Sequence, residues 1–241
     1  MKSVDTQKVL KLLPKLHIGV IGDFCIDAYW TIDRQSSEIS IETGLPTNPI
    51  KKQHYSLGGA GTIVNNLAAM GVGKISVFGA TGDDPFGWDM RRLFREIKVD
   101  TTGLMIQKDK FDTPVYIKPI AGDKEENRLD FGNFNELQKS TAVRIIGALC
   151  RKTAKLDALI INQQLKSGIH TADMQKLLNN FLEKARIPII TADCRNITGV
   201  YKNCIYKMNA CEAVRACGEK CESNQVVPLE KSVQHLKKLH K

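Results

Sequence analysis

Strand-like and helix-like segments alternate along most of this 241-residue chain. Short apolar runs typical of buried strands occur in HIGVIGD, KISVFGATGDD, LDALIINQ, IPIITADC and CIYKMN. Segments with the apolar spacing of a helix lie between them, in TIVNNLAAMG, FGWDMRRLFREIK, VRIIGALCRKT and TADMQKLLNNFLEKAR. Because parallel strands are joined by helices that cover both faces of their sheet, this alternation predicts an α/β fold with a mainly parallel sheet.

Two segments interrupt the alternation, at residues 32–57 and 112–127. Both hold short extended stretches punctuated by Pro and Gly, and neither has a helical period. We predict that they form a small β lid on an α/β core made of residues 1–31, 58–111 and 128–241. Because exposed strand edges tend to be paired or covered, we expect a second copy of the chain to pack against the lid as a homodimer.

The composition limits the classes of binding partner that we expect for this chain. The net charge is +9 and 42% of the residues are hydrophobic, but no charge-free apolar run approaches the length of about 18 residues that a membrane-spanning helix needs. The first residues, MKSVDTQKVLKLL, lack the apolar region and the cleavage site of a signal peptide. Lysines are spread along the chain with few aromatic residues between them, unlike a nucleic-acid-binding patch. We therefore expect a soluble, cytoplasmic protein with neither a membrane nor a nucleic-acid partner.

The sequence contains seven cysteines and no CxxC pair. Cys211, Cys217 and Cys221 gather near the end, where a disulfide or a zinc site is the alternative to simple packing. Because disulfides are rare in cytosolic proteins, we expect these cysteines to be reduced packing residues.

A pair of adjacent glycines, Gly58 and Gly59, runs directly into a helical pattern in SLGGAGTIVNNLAAMG. Adjacent glycines let the backbone approach a ligand without obstruction by Cβ atoms. A helix N-terminus offers unpaired N–H groups to oxygen-rich ligands. The pattern thus indicates a binding turn, although glycines that only close a loop would look the same.

Polar residues follow the predicted strands at their carboxyl ends. Ligands of open α/β sheets bind at that edge, so the recurrence of these residues favours a site there. Taken singly, each residue also fits a helix cap or a turn. The residues are Asp23 and Asp27, Gly79, Asp83 and Asp84, Asn162 and Gln163, Asp193 and Arg195, and Asn209 and Glu212.

Four of these elements occur in an order that resembles the PfkB, or ribokinase-like, carbohydrate kinases. They are GDFCIDAYW, the double glycine with its helix, GATGDDPFG and NACE. SSEISIETGLPTNPIKK and NRLDF are most similar to lid segments of the kinases that phosphorylate sugar phosphates in heptose nucleotide synthesis. The resemblance covers most of residues 18–218 and implies a ribokinase-like three-layer sandwich with a small β lid.

The resemblance implies an enzyme that transfers a phosphoryl group to a hydroxyl of a sugar or sugar phosphate. ATP is the implied cofactor, with Mg²⁺ as the implied metal, and the sugar or sugar phosphate is the implied substrate. A non-catalytic sugar or sugar-phosphate binding protein derived from the same fold is the alternative.

The resemblance also assigns roles to individual residues. Asp27 and the Gly58–Gly59 turn would bind sugar hydroxyls. Lys118 and Arg128 of the lid would face the acceptor, where cations suit a sugar that already bears a phosphate, with a solvated lid surface as the alternative. The full substrate-binding set is Asp23, Asp27, Gly58, Gly59, Asn66, Lys118, Arg128 and Lys166; the nucleotide side is Asp193, Asn209 and Glu212, with Glu212 also the metal ligand.

The chain departs from the family pattern in its substrate-binding region. Thr62 and Ile63 stand where an asparagine usually follows the glycine pair, and Asn66 comes a turn or less later. Gln163 stands where the heptose-type kinases have an aspartate, although Lys166 keeps its place. These departures leave the identity of the sugar open.

The catalytic aspartate of the family lies in a D-T-x-G-A-G-D element, whose glycine-rich turn forms the anion hole. Only partial matches occur in the 241 residues, DTTG at 100–103 and AGD at 121–123. We therefore identify no catalytic residue and expect the 241 residues to be inactive without that element; the sequence leaves open whether they belong to a longer kinase. A generic nucleotide-binding module lacks support, because neither G-x-G-x-x-G nor G-x-x-x-x-G-K-[ST] is present.

Overall fold

A computed structural model describes residues 6–197, 199–222 and 225–239. Its strands are β1 (His17–Gly22), β2 (Phe24–Ile32), β3 (Ile50–Gly59), β4 (Lys74–Thr81), β5 (Asp100–Ile106), β6 (Val115–Ala121), β7 (Lys124–Glu125), β8 (Leu129–Phe131), β9 (Ala158–Gln163), β10 (Ile189–Cys194) and β11 (Ile205–Lys207). Its α-helices are α1 (Thr6–Leu12), α2 (Ala60–Ala69), α3 (Pro85–Glu96), α4 (Lys139–Lys152), α5 (Ala172–Leu182), α6 (Ala210–Ala216) and α7 (Leu229–Leu239).

The larger sheet has six strands in the order β11, β10, β9, β1, β4 and β5. Every neighbouring pair in it is parallel. The predicted mainly parallel sheet is therefore confirmed. Because the strands run in one direction, their carboxyl ends meet at a single edge, where ligands of such sheets bind.

Helices cover both faces of this sheet. On one face, α4 and α5 contribute to an apolar cluster that includes Ile21 and Phe78. On the other face, α2 and α3 contribute to a cluster that includes Val20 and Val77. The consecutive residues Val20 and Ile21 thus point to opposite faces, and both are fully buried. Burial of each such side chain contributes about 1.5–3 kcal/mol to the stability of the fold. Because helices cover both faces of the sheet, the predicted three-layer architecture is confirmed.

A smaller sheet contains β3, β2, β6 and β7 in that order, with β8 also paired to β6. Strand β2 pairs antiparallel with β3 and parallel with β6. Both predicted lid segments, 32–57 and 112–127, contribute strands to this sheet, but it also extends back to Phe24 and forward to Phe131. Ile26 of β2 is fully buried in the cluster that holds α2 and α3, so one end of the sheet packs on the core. The division into core and lid stays a prediction.

Cys211 and Cys221 form a disulfide, with their Cα atoms 5.5 Å apart. This corrects the expectation that the cysteines are reduced packing residues. Cys211 lies in the first turn of α6, and the chain turns back after that helix, which brings Cys221 beside it. Cys25, Cys150, Cys204 and Cys217 are free cysteines.

Helix α7 packs on α6, and the carboxylate of Glu219, a residue that follows α6, contacts side chains of α7. His235 of α7 lies 2.9 Å from the Glu219 carboxylate. Lys231 and Lys238 lie 3.4 and 3.7 Å from the same carboxylate, so the basic side of α7 is partly neutralised there. In the part of the chain that the structure describes, no helix has the length and apolarity needed to cross a lipid bilayer.

Candidate functional site

The glycine pair ends β3 and begins α2. Gly59 is the N-cap of α2 and has φ of +58°, a conformation that side-chain-bearing residues rarely adopt. A Cβ atom at Gly58 would lie 2.4 Å from Oδ2 of Asp27 and 2.8 Å from the sulfur of Cys25. The lack of a side chain at position 58 therefore lets the Asp27 carboxylate lie directly against the backbone before α2.

The Asp27 carboxylate also pairs with Lys118 of β6. The Lys118 ammonium donates a hydrogen bond of 2.8 Å to Oδ1 of Asp27 and lies 3.2 Å from the Tyr29 hydroxyl. Burial alone would lower the pKa of Lys118, but the hydrogen bonds to Asp27 and Tyr29 outweigh it and the pKa is raised. Lys118 therefore stays charged and orients the carboxylate, while Oδ2 keeps the capacity to accept a hydrogen bond.

Cys25, whose sulfur lies beside Gly58, is a buried packing residue. Burial, with a smaller contribution from the charges of Asp27 and Asp23, raises the pKa of its thiol to about 12. The thiol is therefore neutral at physiological pH and is not a nucleophile.

A polar cavity of about 560 Å³ opens near the carboxyl ends of β9 and β10. We call it the cationic cavity, because three cationic side chains line it. Arg128 stacks on the Tyr116 ring at 4.3 Å and binds both oxygens of Asp130 at 2.6 and 2.7 Å. Neither of the other two cations, Lys166 and Arg195, takes part in a salt bridge within the described residues. The residues that line the cavity are Tyr116, Arg128, Asp130, Phe131, Gly132, Asn133, Gln164, Leu165, Lys166, Ser167, Arg195 and Asn196.

Tyr116 connects the cavity to the glycine pair. It is the register partner of Asp27 across the parallel β2–β6 pair, so the two side chains lie on the same face of the smaller sheet. Asp27 in turn lies against Gly58. The carboxylate, the glycine turn and the cationic cavity therefore form one continuous surface.

The structure gives Asp23 a different contact from the one expected. Its carboxylate is 2% exposed and accepts backbone hydrogen bonds from Gln164, Leu165 and Ile169, at 2.8, 2.9 and 2.8 Å. These donors occupy both oxygens, so the side chain is not presented to a ligand. Asn66 is exposed on α2 and is not among the residues that line the cavity.

The residues expected on the nucleotide side pair with one another or with neighbours. Asp193 accepts a hydrogen bond of 2.9 Å from Lys207, its register partner on β11. Asn209 and Glu212 form a capping box at the start of α6: the Asn209 side chain accepts from the Glu212 N–H at 2.8 Å, and Glu212 accepts from the Asn209 N–H at 2.7 Å. This is the ordinary structural role of an N-x-x-E pattern.

The donors around Glu212 do not form a magnesium site by themselves. One Glu212 oxygen is engaged in the cap, and the residue is 6% exposed. Within residues 6–197, 199–222 and 225–239, no group of three or more His, Cys, Asp and Glu side chains could hold a metal ion. The expectation that Glu212 binds Mg²⁺ therefore gains no support from its surroundings.

The expected substrate residues fall into two groups. Asp27, Gly58, Gly59 and Lys118 lie together, and Arg128 and Lys166 line the adjoining cavity. The sequence pattern indicated Arg195 only as a residue at a strand end, and it did not indicate Tyr116 or Asp130 as site residues. The alternation of side chains along β6 was the available signal, since Tyr116 lies two residues before Lys118 and shares its face.

The comparisons with known proteins agree with this architecture. A family model described as pfkB family carbohydrate kinase matches residues 16–241. The bifunctional protein HldE of Sulfurimonas denitrificans is 30% identical over 214 residues, which are 87% of this chain and 43% of that protein. The chain thus spans less than half the length of this relative.

Two solved ribokinases share the fold. The Arabidopsis thaliana enzyme complexed with ribose and ATP has a TM-score of 0.60 at 16% identity, over 93% of this chain and 68% of its own. The Cryptococcus neoformans enzyme in complex with ADP has a TM-score of 0.58 at 17% identity, over 94% and 69%. These likenesses confirm the ribokinase-like fold, and the family match over most of the chain identifies it as a member of the pfkB family of carbohydrate kinases.

Proposed function

We propose that this chain binds the acceptor of a phosphoryl transfer from ATP to a hydroxyl of a sugar phosphate. The observation that carries the proposal is the cationic cavity, where Lys166 and Arg195 have no ion-pair partner among the described residues. Two like charges that face one cavity repel each other, and a phosphate dianion placed between them relieves that repulsion. The phosphate of a sugar phosphate is the ligand that this charge arrangement favours.

The sugar part of the acceptor would lie toward Asp27 and the glycine turn. Phosphoryl transfer depends on a hydroxyl held in line with the donor phosphate, so positioning is a large part of the catalysis. Asp27 has a carboxylate oxygen next to Gly58 that can accept a hydrogen bond from a sugar hydroxyl. Arg195 supplies planar donors suited to phosphate oxygens, and Lys166 adds a point charge. Arg128 lies beside them, but its guanidinium is already bound by both oxygens of Asp130.

Support for ATP as the donor comes from the solved ribokinases, one of which holds ADP and the other ATP with ribose. Mg²⁺ would neutralise the donor phosphates in such a reaction.

Calorimetric titration with hexose and heptose phosphates, and with the unphosphorylated parent sugars, tests the proposal. We expect a phosphorylated sugar to bind at least about tenfold more tightly than its parent, since hydrogen bonds to charged groups are worth about 1.5–3 kcal/mol. Arg195→Gln and Lys166→Gln should each remove most of that preference. Lys176→Gln, at an exposed position of α5 outside the cavity, is the matched control. Equal affinity for phosphorylated and parent sugars would overturn the proposal.

A non-catalytic sugar-phosphate binder is the second candidate function. The observation that favours it is that Asn209 and Glu212, which were expected on the nucleotide side, bind each other in a capping box. Both candidates predict acceptor binding, so a coupled assay of ATP consumption distinguishes them only on a version of the chain that is extended through a D-T-x-G-A-G-D element. Turnover by the extended version supports the kinase, and acceptor binding without turnover by that version supports the binder.

We also propose that the smaller sheet packs against a second copy of the chain. The loop between β2 and β3 exposes the apolar residues Ile39, Ile41 and Leu45. A groove of about 580 Å³ opens on the same sheet. In a symmetric dimer, the exposed apolar side chains of each copy can pack into the apolar groove of the other copy. The apolar residues that line the groove are Trp30, Ile32, Ile50, Pro119 and Leu129.

A further inference from the structure

We propose that Asp23 is a positioning residue that places Lys166 in the cationic cavity and sets its distance from the glycine turn. This inference rests on the proposed acceptor-binding function. Asp23 does not line the cavity, and its carboxylate is buried. Its effect on a ligand would therefore be transmitted through the backbone segments that it holds.

The side chain of Asp23 holds the loop that follows β9, residues 164–169. Oδ2 accepts from the N–H groups of Gln164 and Leu165, and Oδ1 accepts from the N–H of Ile169. Lys166 lies between these anchored positions, so its backbone is fixed on both sides. Hydrogen bonds to a carboxylate are stronger than those between neutral groups, which makes this loop better ordered than an ordinary surface turn.

The backbone of Asp23 holds the other half of the site. Its carbonyl oxygen accepts from the N–H of Ala60, the first residue of α2, at 2.9 Å. Its own N–H donates to the carbonyl oxygen of Asn162 at the end of β9, at 3.1 Å. A Cβ atom at Gly59 would lie 2.5 Å from the Asp23 carbonyl oxygen, so the turn packs directly on this residue. One residue thus joins the glycine turn to the loop that carries Lys166.

Gly168 allows the carboxylate to reach the loop. A Cβ atom at position 168 would lie 2.1 Å from Oδ1 of Asp23 and 2.4 Å from its Cγ. A side chain at position 168 must therefore displace the carboxylate or the loop. Gly168→Ala perturbs the same contact from the opposite side and leaves Asp23 itself unchanged.

Asp23→Asn is the direct variant. A carboxylate offers two acceptor oxygens, whereas an amide turns one of them into an N–H donor that meets a backbone N–H. Either orientation of the amide loses one or two of the three loop hydrogen bonds. The backbone contacts to Ala60 and Asn162 remain, so the glycine turn keeps its anchor.

Hydrogen exchange of the Gln164, Leu165 and Ile169 amides provides a readout that needs no ligand. We expect Asp23→Asn and Gly168→Ala each to speed this exchange at least about tenfold while helix content is kept. The midpoint of thermal unfolding should fall by several degrees, because each variant loses buried hydrogen bonds to a carboxylate. Asp157→Asn is the matched control, because Asp157 also accepts a backbone N–H, from His17 at the opposite end of the sheet. It should leave these three amides protected.

Calorimetry on the same variants, with the panel of sugar phosphates and parent sugars, gives the second readout. Asp23→Asn and Gly168→Ala should lower sugar-phosphate affinity by about tenfold and leave parent-sugar affinity within about twofold, a ratio that general destabilisation would not move. Lys166→Gln should lose the phosphate preference while the amides stay protected.

Three results would overturn the inference. The first is that the three amides stay protected in both variants. The second is that the loop is loosened but sugar-phosphate affinity is unchanged. The third is that both variants unfold globally, which would mean that Asp23 stabilises the whole fold and does not act on the loop alone. If the wild-type chain binds no sugar phosphate, the proposed function fails, while the exchange data still decide whether Asp23 holds the loop.

Discussion

The Lys118 ammonium lies 2.8 Å from the Asp27 carboxylate, although 91 residues separate them in the chain. The two side chains are 20% and 24% exposed, so the pair is neither sealed in the core nor free in solvent. Parallel pairing of β2 with β6 brings them together, since Lys118 is the register partner of Tyr29, two residues after Asp27. The pair therefore fixes a charged carboxylate at a position that a small ligand can reach.

Asp27→Ala tests whether this carboxylate serves a ligand. We expect loss of detectable sugar binding, with a fall in the free energy of unfolding of no more than about 1 kcal/mol, because a partly exposed ion pair contributes little to stability. Calorimetry and urea unfolding measure the two quantities. Asp123→Ala, in the exposed turn between β6 and β7, is the control and should change neither. Undiminished sugar affinity in Asp27→Ala would remove the assignment.

Gly58→Ala tests the same contact from the backbone. The new methyl group would lie 2.4 Å from Oδ2 of Asp27, so the carboxylate must move or lose its orientation. We expect sugar affinity to fall at least about tenfold. Gly147→Ala in α4 is a contrasting control, because its Cβ would meet only the far end of Arg151 at 3.6 Å. That change should stabilise the chain by about 0.5–1 kcal/mol through helix propensity and leave binding unchanged; normal binding by the Gly58 variant would contradict the proposed geometry.

His17 gives the stability a dependence on pH. Its Nε2 lies 2.9 Å from the Ser76 hydroxyl, and burial, then the charges of Lys74 and Lys152, lower its pKa below 6.5 against the opposing effect of Asp100. The unfolded chain therefore takes up a proton near pH 6.5 that the folded chain does not. The free energy of unfolding should fall as the pH drops below that value, for example from about pH 7.5 to about 5.5.

His17→Gln isolates this contribution in urea unfolding at the two pH values. Asp100 does not interfere, because its pKa is lowered below 3.8 and its contribution is lost only at more acidic pH. The variant should lose less stability than the wild type over this range. The same loss in both proteins would show that His17 titrates as it does in the unfolded chain.

Sedimentation velocity tests the pairing of the smaller sheet. We expect the wild-type chain to sediment as a dimer at micromolar concentration and Ile41→Asp to shift it to a monomer. Ile41 is 99% exposed in the single chain, so a charge there costs the monomer nothing in packing. Phe134→Asp, at a residue 97% exposed outside that loop, should leave the dimer intact. A monomeric wild type at the highest accessible concentration would contradict the proposal.

The 241-residue chain should consume no ATP in a sugar-dependent manner above background. General-base assistance is worth about 10²- to 10⁴-fold, and loss of anion-stabilising donors about 10²- to 10³-fold each. Both are assigned by resemblance to an element that these residues lack. A coupled assay with hexose and heptose phosphates measures this ATP consumption. A version of the chain that is extended through such an element is the positive control. Robust turnover by the 241 residues would mean that a base lies among them.

The sequence predicted the main sheet well because most of its strands are buried on both faces. β5 was missed, since Asp100, Thr101 and Thr102 at its start are polar and only its later residues, such as Leu104, are buried. An edge strand of this kind lacks the continuous apolar run that marks a central one. The segment DTTG, at the start of β5, was interpreted only as a partial match to the D-T-x-G-A-G-D element.

The candidate site was predictable in its outline but not in the division of roles. Asp23 and Asp27 both follow β1 and carry the same side chain. Asp23 is enclosed by a loop from a distant part of the chain, whereas Asp27 lies on β2 in the smaller sheet and pairs with Lys118. No local pattern distinguishes them, because the difference is made by residues 118 and 164–169. The Asn209–Glu212 spacing was similarly ambiguous, since a capping box and a phosphate-side motif use the same letters.

The close approach of Gly168 to the Asp23 carboxylate has a consequence for how related sequences diverge. A carboxylate at one position and any side chain at the other occupy the same space, so neither position can change freely while the other is kept. Substitution at 168 should be found in relatives only together with loss of the acid at 23, which makes these two distant positions a covarying pair. Chains that keep both would hold the loop of residues 164–169 against the start of β2 in the same way.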